Sequence, residues 1–560
     1  MEAGRWMSAG TRMGLALLAL LVTSLLTASC AAQDSGGELL QQQAAYDVTY
    51  YDLQVEVQPS ERAIAGTLVA HAVVESPLQA FVLNLDYRLR VERAWVPSMS
   101  GEEERPVTRK DNDNQVWIDL PEMARPGDTL RVAVRYAGSP RSAPNPPWNG
   151  GFTWAETPEG APWIATSCQT AGADLWWPVK DHPSDEPDSM DIRVTVPDTL
   201  TAASNGVLKG VQPASASTKT FHWHVSTPIN PYGVALNIAP YTAIDSTYAS
   251  TSGTDVPVTF YALPSDSAKA RSALPQFLDH VRFLEETLGA YPFRADKYGI
   301  AQTPFKGMEH QTIIAYGNEF RLNGGLGYDA GFDALHFHEL AHEWYGNCVT
   351  VGDWKDFWIH EGVATYLEAL YAETLRGEAG YRAVTSYFRQ RMRGGQAIAR
   401  SEPTSAQEIY GTDIYYKGAL VLHALRGVIG KEALIDVLQA FMAGTADAEN
   451  PTCRSVTTAE FVQTAEEVSG RQLDGFFSVY LYQEQLPAVA MNRSGNTVTL
   501  EWVQTGGAPF DVPVPVEVDG EMRRVEMDGG RAVLEVPASE RVVVDPRREL
   551  LAAPQPPSDE

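Results

Sequence analysis

Apolar and polar positions alternate with period two in several short stretches of the first half of the chain. Examples are Asp52-Leu53-Gln54-Val55-Glu56-Val57, Arg131-Val132-Ala133-Val134-Arg135-Tyr136 and Asp191-Ile192-Arg193-Val194-Thr195-Val196. Broken repeatedly by Pro, Gly and Asp, this pattern predicts antiparallel sheet and sets residues 46–245 apart as a β-domain. From Ser265 to Tyr291 the apolar spacing becomes helical, through Phe277, Val281, Phe283 and Leu284. Helical segments continue over 333–347, 357–376, 417–429, 431–443 and 458–468, so residues 250–485 read as a mainly helical domain. Alternation returns in Thr497-Val498-Thr499-Leu500-Glu501-Trp502 and Arg531-Ala532-Val533-Leu534-Glu535-Val536, which makes 487–550 a small second β-domain. Residues 31–45 are small and polar and read as a tether. The pattern as a whole predicts a multidomain α+β protein.

Composition narrows the function. The chain carries 71 Asp and Glu against 43 Lys and Arg, a formal net charge of −28. Nucleic acid is thereby excluded as a partner, because phosphate binding needs a cationic footprint. The hydrophobic share of 44% is that of a globular chain and excludes a disordered or fibrous one.

The four cysteines are Cys30, Cys168, Cys348 and Cys453, with no C-x-x-C pair to suggest a thiolate zinc site. Arg5 and Arg12 precede an uncharged run from Met13 to Gln33 that passes through Leu26-Thr27-Ala28-Ser29-Cys30. This resembles a bacterial lipoprotein signal: residues 1–30 form the signal peptide and its lipobox-like end, and Cys30 takes the lipid. The expectation is an exported, membrane-anchored lipoprotein of the bacterial cell envelope, on the periplasmic or outer face. A plain signal peptide cut near Ala32 would make the chain periplasmic or secreted, and an uncleaved anchor helix is the third reading. With Cys30 lipidated, at most one disulfide can form among Cys168, Cys348 and Cys453.

The chemistry centres on His338-Glu339-Leu340-Ala341-His342. Histidines at i and i+4 share one helix face, so both imidazoles reach one ion, and Glu339 lies beside them where it can act on a water. Eighteen residues separate His342 from Glu361, in Trp358-Ile359-His360-Glu361-Gly362-Val363-Ala364-Thr365-Tyr366. A carboxylate on a second helix supplies the third ligand of a two-His-one-Glu zinc site.

HELAHEWYGNCVT followed by WIHEGVATYLE resembles the aminopeptidase N and leukotriene hydrolase family of zinc metallopeptidases (gluzincins). Two further motifs appear in the family's order. Lys306-Gly307-Met308-Glu309-His310 is similar to its G-x-M-E-N exopeptidase motif, with Lys306 in place of the first Gly and His310 in place of Asn. Ile414-Tyr415-Tyr416-Lys417-Gly418 is similar to its Tyr-x-Lys-Gly motif, which aligns Tyr415 with the catalytic hydroxyl. Cys168-Gln169-Thr170 sits where the family's β-domain contributes a Gln to the specificity pocket. The resemblance covers about 46–550 and does not include the large carboxy-terminal helical domain of many members.

The resemblance implies a thermolysin-like catalytic domain and a carboxy-terminal β-sandwich. It also implies one zinc ion per chain on His338, His342 and Glu361. Glu339 becomes the general base and Tyr415 the donor to the oxyanion. Glu309, with Gln169, Gly307 and Met308, binds the free amino terminus of a peptide substrate. Two rivals follow from the same residues. One is a zinc endopeptidase with an open cleft; the other is a non-catalytic surface-binding protein on a peptidase scaffold.

Overall fold

The structure is a computed structural model, and it describes residues 34–98, 101–109, 114–322, 331–444 and 452–553. The signal segment and Cys30 lie outside the described residues. The amino-terminal domain is built on an eight-stranded sheet. Its strand order is 207–213, 218–225, 189–197, 46–58, 63–74, 129–138, 89–98 and 101–105. Strand Tyr46–Gln58 shows why the alternation was legible. A bulge between Val48 and Tyr50 resets its parity, after which Tyr51, Leu53, Val55 and Val57 all face the core. A three-stranded sheet (78–84, 115–124, 107–108) joins it where the Tyr46 ring stacks on Phe81 at 4.2 Å. A four-stranded sheet completes the domain, and its strand Pro162–Ser167 ends two residues before Gln169.

The catalytic domain contains a five-stranded mixed sheet, in the order 242–249, 255–262, 298–302, 314–316 and 307–308. One boundary and one assignment differ from the sequence expectation. Strand Thr242–Ala249 pairs with Asp255–Ala262 and so belongs to this sheet, not to a β-domain ending at 245. The mainly helical reading of 250–485 also missed the short strands 298–302, 307–308 and 314–316. Burial on both faces removes the alternation by which a strand is recognised. The helices are α1 (Ser267–Leu288), α2 (Ala334–Ala341), α3 (Trp358–Arg391), α4 (Ala406–Ile409), α5 (Thr412–Ile429), α6 (Lys431–Ala443), α7 (Thr458–Ser469) and α8 (Asp474–Tyr482). Gly377, at φ +63°, breaks α3 into two segments. The carboxy-terminal domain is a pair of three-stranded sheets, 488–494 with 497–503 and 531–535, and 514–518 with 521–525 and 542–544.

The expected tether is not loose over its described part. Ser35 is buried, its N–H donates to Thr170 O at 3.3 Å, and its carbonyl accepts from Ala406 N at 2.9 Å. Asp34 Oδ1 accepts from Gln407 N at 2.9 Å, so the segment crosses the seam between the two large domains. Small polar residues suit such a crossing because both the backbone of Ser35 and the short side chains of Asp34 and Ser35 make the bonds. Cys348 and Cys453 form a disulfide across the paired strands 349–351 and 454–456, and Cys168 is a buried free thiol.

Candidate active site

Helix α2 places the two histidines. Asp333 caps its first turn, accepting from His336 N at 3.2 Å, and is itself held by Asn318 Nδ2 at 2.7 Å. One turn further on, His338 Nε2 and His342 Nε2 stand 3.1 Å apart. Helix α3 brings Glu361 from its first turn, with Oε2 at 3.4 Å from each of these nitrogens. The three ligand atoms form the one group among the described residues with the spacing to hold a metal ion. Glu361 Oε2 is buried and has no hydrogen-bond donor, a costly state for a carboxylate oxygen unless a cation completes it. This donor set fits a divalent metal that accepts nitrogen and oxygen ligands, and zinc in particular.

The outer atoms of the ligands are also fixed. His338 Nδ1 pairs with Glu368 Oε1 at 3.0 Å, and His342 Nδ1 with Tyr345 O at 3.0 Å, which turns both Nε2 atoms inward. Glu361 Oε1 accepts from Gln169 Nε2 at 2.8 Å. Burial opposes charge on the two imidazoles, yet Glu361 and Glu368 outweigh it at His338 and Glu361 outweighs it at His342, so both are raised above the ordinary range. Burial likewise acts to raise Glu361, and His342 and His338 more than reverse it, holding its carboxyl well below the usual range. The field between these atoms favours positive charge.

Glu339 and Glu309 line the same cavity, of about 490 Å³, as the triad. Burial pushes the Glu339 carboxyl up to about 8, against the pull of His338. Gly307 makes room for it: a Cβ at that position would meet Glu339 Oε1 at 2.1 Å. Glu309 Oε1 accepts from Gln169 Nε2 and, at 3.1 Å, from the Tyr232 hydroxyl. Its backbone is pinned where Asn347 Nδ2 donates to Glu309 O at 2.9 Å. Met308 is buried in the cavity wall. The two departures from the exopeptidase motif place no cation on Glu309. Burial lowers the His310 imidazole to about 3, which leaves it neutral, and Lys306 extends over the Trp148 ring at 5.9 Å.

Tyr415 enters from the first turn of α5, its ring 6.0 Å from that of His338 and its hydroxyl 3.0 Å from that of Tyr410. Backbone contact between α3 and α5 allows this. A Cβ on Gly418 would lie 2.8 Å from Gly362 Cα, and one on Gly362 would lie 2.9 Å from Gly418 Cα. Gly362 follows the ligand Glu361, and Gly418 lies three residues past Tyr415. Lys417 has no part in the cavity; its ammonium donates to Gln396 O at 3.0 Å and Gln483 O at 2.9 Å.

Every candidate site residue within the described chain therefore meets in one cavity. Sequence reasoning missed Glu368, Tyr232, Tyr410 and Asn347. Glu368 carried a readable signal, since it lies seven residues, two helical turns, after Glu361 on α3. Tyr232 carried none, because its contact with Glu309 spans 77 residues.

Comparison with known proteins gives two family matches, the Peptidase M1 N-terminal domain over residues 48–232 and the Peptidase family M1 domain over 280–480. The chain is 25% identical over 410 residues to human endoplasmic reticulum aminopeptidase 1, covering 69% of this chain and 42% of that protein. It is 23% identical over 451 residues to Drosophila melanogaster transcription initiation factor TFIID subunit 2, covering 70% and 36%. The chain thus spans less than half the length of these curated relatives. An M1 zinc metallopeptidase from Deinococcus radiodurans, solved with a Tyr-Ser-Ala substrate, superposes with a TM-score of 0.64 at 25% identity. That match covers 79% of this chain and 95% of the Deinococcus one.

Proposed function

The chain belongs to the M1 peptidase family, and from that premise we propose that it is a zinc-dependent aminopeptidase that removes residues from the free amino terminus of peptides. The observation that carries the reading is Glu309, a buried carboxylate held by Gln169 and Tyr232 in the same cavity as the metal triad. A fixed carboxylate there suits an ammonium, because a charge-assisted hydrogen bond strengthens out of water. With Oε1 occupied by two donors, Oε2 receives the substrate amine.

One zinc per chain, on His338, His342 and Glu361, supplies Lewis-acid polarisation of the scissile carbonyl and activation of a water. Glu339 takes the proton of the attacking water on its carboxylate and delivers it to the leaving amine. Tyr415 donates its hydroxyl hydrogen to the carbonyl oxygen as negative charge develops there, and Tyr410 orients it. Gln169 ties Glu309 to Glu361, which fixes the distance between the amine anchor and the metal.

The non-catalytic rival has little support, since all three ligands and the base are present with their supporting bonds. The endopeptidase rival differs in one measurable respect. A panel of aminoacyl reporter substrates, run with and without chelator and beside N-acetylated peptides, separates them. Free-amine substrates should be cut in a metal-dependent way and acetylated ones poorly; equal cleavage of both would install the endopeptidase.

Export and a lipid on Cys30 also belong to this reading. The Cys348–Cys453 disulfide supports export, because such bonds persist in oxidising compartments. No helix among the described residues is long and apolar enough to cross a membrane. Cys30→Ser should move the protein from the membrane fraction to the soluble one; a variant that stays membrane-bound at unchanged mass refutes lipidation.

A further inference from the structure

The walls of the catalytic cavity are divided by charge. Four carboxylates line it: Glu309, Glu339, Glu361 and Glu368. Two guanidiniums, Arg391 and Arg393, line it as well, and both residues are exposed. In a chain with a net charge of −28, neither has a carboxylate within ion-pair distance among the described residues. Arg391 instead lies over the Tyr387 ring at 5.9 Å.

The contacts also order these groups along the cleft. Glu309 joins Glu361 through Gln169, on the side of the amino-terminal domain. His338 stacks beside Tyr415, which marks the other side of the metal triad. The two arginines start from that second side. Arg393 N donates to Asp413 Oδ1 at 2.8 Å, and Asp413 lies two residues before Tyr415 in the first turn of α5. Arg391 lies over the Tyr387 ring, which packs 6.0 Å from the ring of Tyr416, the residue after Tyr415 on α5. The loop that follows is tied down by Lys417, whose ammonium holds Gln396 O at 3.0 Å. A peptide with its ammonium on Glu309 and its scissile carbonyl between the triad and Tyr415 therefore runs its leaving portion toward Arg391 and Arg393.

We propose that Arg391 and Arg393 form a carboxylate subsite on the leaving-group side of the cleft, which selects short peptides through their free carboxy terminus. The proposal rests on the aminopeptidase reading for the direction of the substrate. A planar guanidinium pairs with a carboxylate through two parallel hydrogen bonds, and two guanidiniums lining the same cavity of about 490 Å³ as the amine anchor favour peptides whose carboxy terminus reaches them. Because both are exposed, the effect is moderate and salt-sensitive.

The test uses the full-length zinc-loaded enzyme and alanine peptides of two to five residues, each as free acid, as carboxy-terminal amide and as N-acetyl derivative. The free acid should be cut with a kcat/KM about five- to tenfold above that of the amide at one length between two and four residues. The advantage should shrink at five residues, and also at an ionic strength of about 0.5 M, where screening acts within roughly 4 Å. In R391A/R393A the acid-to-amide ratio should fall to near one. A native ratio near one at every length overturns the subsite, as does a ratio that survives both salt and the double substitution. If the double variant fails to fold, R391A and R393A singly, with the salt dependence of the native ratio, decide the matter. The N-acetyl arm reports separately: equal cleavage of acetylated and free peptides removes the aminopeptidase reading, whereas a strict need for the amine with no acid preference removes only the subsite.

Discussion

The two ends of the cleft are built on opposite principles. At the amine end, Glu309 is 3% exposed, its side chain takes two hydrogen bonds and its carbonyl a third. At the leaving end, Arg391 and Arg393 stand in solvent, and Arg393 is fixed through its backbone. A dry, pre-oriented carboxylate discriminates sharply, because a substrate lacking the ammonium leaves it without a partner in a medium that penalises this. A wet guanidinium loses little when its partner is absent, because water replaces it. In the proposed aminopeptidase, the difference teaches that the amine end would set which bond is cut, and the leaving end would only tune how well.

Four predictions break or sharpen that contrast. The largest effect is expected at the metal between the two ends. Glu361→Ala should lose both bound zinc and turnover, since two imidazoles alone hold zinc poorly in a site built for three ligands; full metal content after dialysis would place the third ligand elsewhere. Glu339→Gln should keep zinc and lower kcat by about two to four orders of magnitude, the range of a positioned general base. Near-native turnover with full zinc would sink that role.

At the amine end, Glu309→Ala removes one partner of a desolvated pair, a change that costs about 2–5 kcal/mol. The expected loss in kcat/KM for free-amine dipeptides is roughly a hundredfold or more, with no loss for N-acetylated ones. Equal losses for both substrates would show that Glu309 supports the site without reading the ammonium. The smallest effect concerns the α3–α5 crossing. Gly418→Ala places a Cβ 2.8 Å from Gly362 Cα, where both helices meet by backbone and one must move. Turnover should fall by about tenfold with zinc retained, and Tyr415→Phe in the same chain should add little, because the helix shift has already displaced the hydroxyl. Additive losses would reduce the crossing to a stability feature.

How much was readable before folding depends on how local each relation is. The ligands His338 and His342 follow from a four-residue spacing that any α-helix converts into a shared face, and Glu361 opens the next long helix. The strands of the amino-terminal sheet showed themselves because one face is buried and the other wet. The strand carrying Gly307 and Met308 is two residues long and buried on both faces, so it left no alternation to read. The tether failed for a related reason: composition reports general preferences, and residues 34–37 are held by hydrogen bonds to Thr170, His182, Ala406 and Gln407, partners far along the chain that composition does not encode.

The sequence by itself determined the residue types and short spacings that the proposed metal-dependent hydrolase needs: two imidazoles one turn apart, a carboxylate between them to serve as base, a second carboxylate on the following helix to serve as third ligand, and another to meet the amine. Tertiary structure decided how these groups work together. Gln169 reaches Glu309 across 140 residues and Glu361 across 192, while Gly362 and Gly418 let two helices approach until Tyr415 stands beside His338. The physical reason is the range of the interactions. Helical periodicity is written into a handful of consecutive residues, whereas a hydrogen bond between domains exists only once sheets and helices have packed and water has left the space between them.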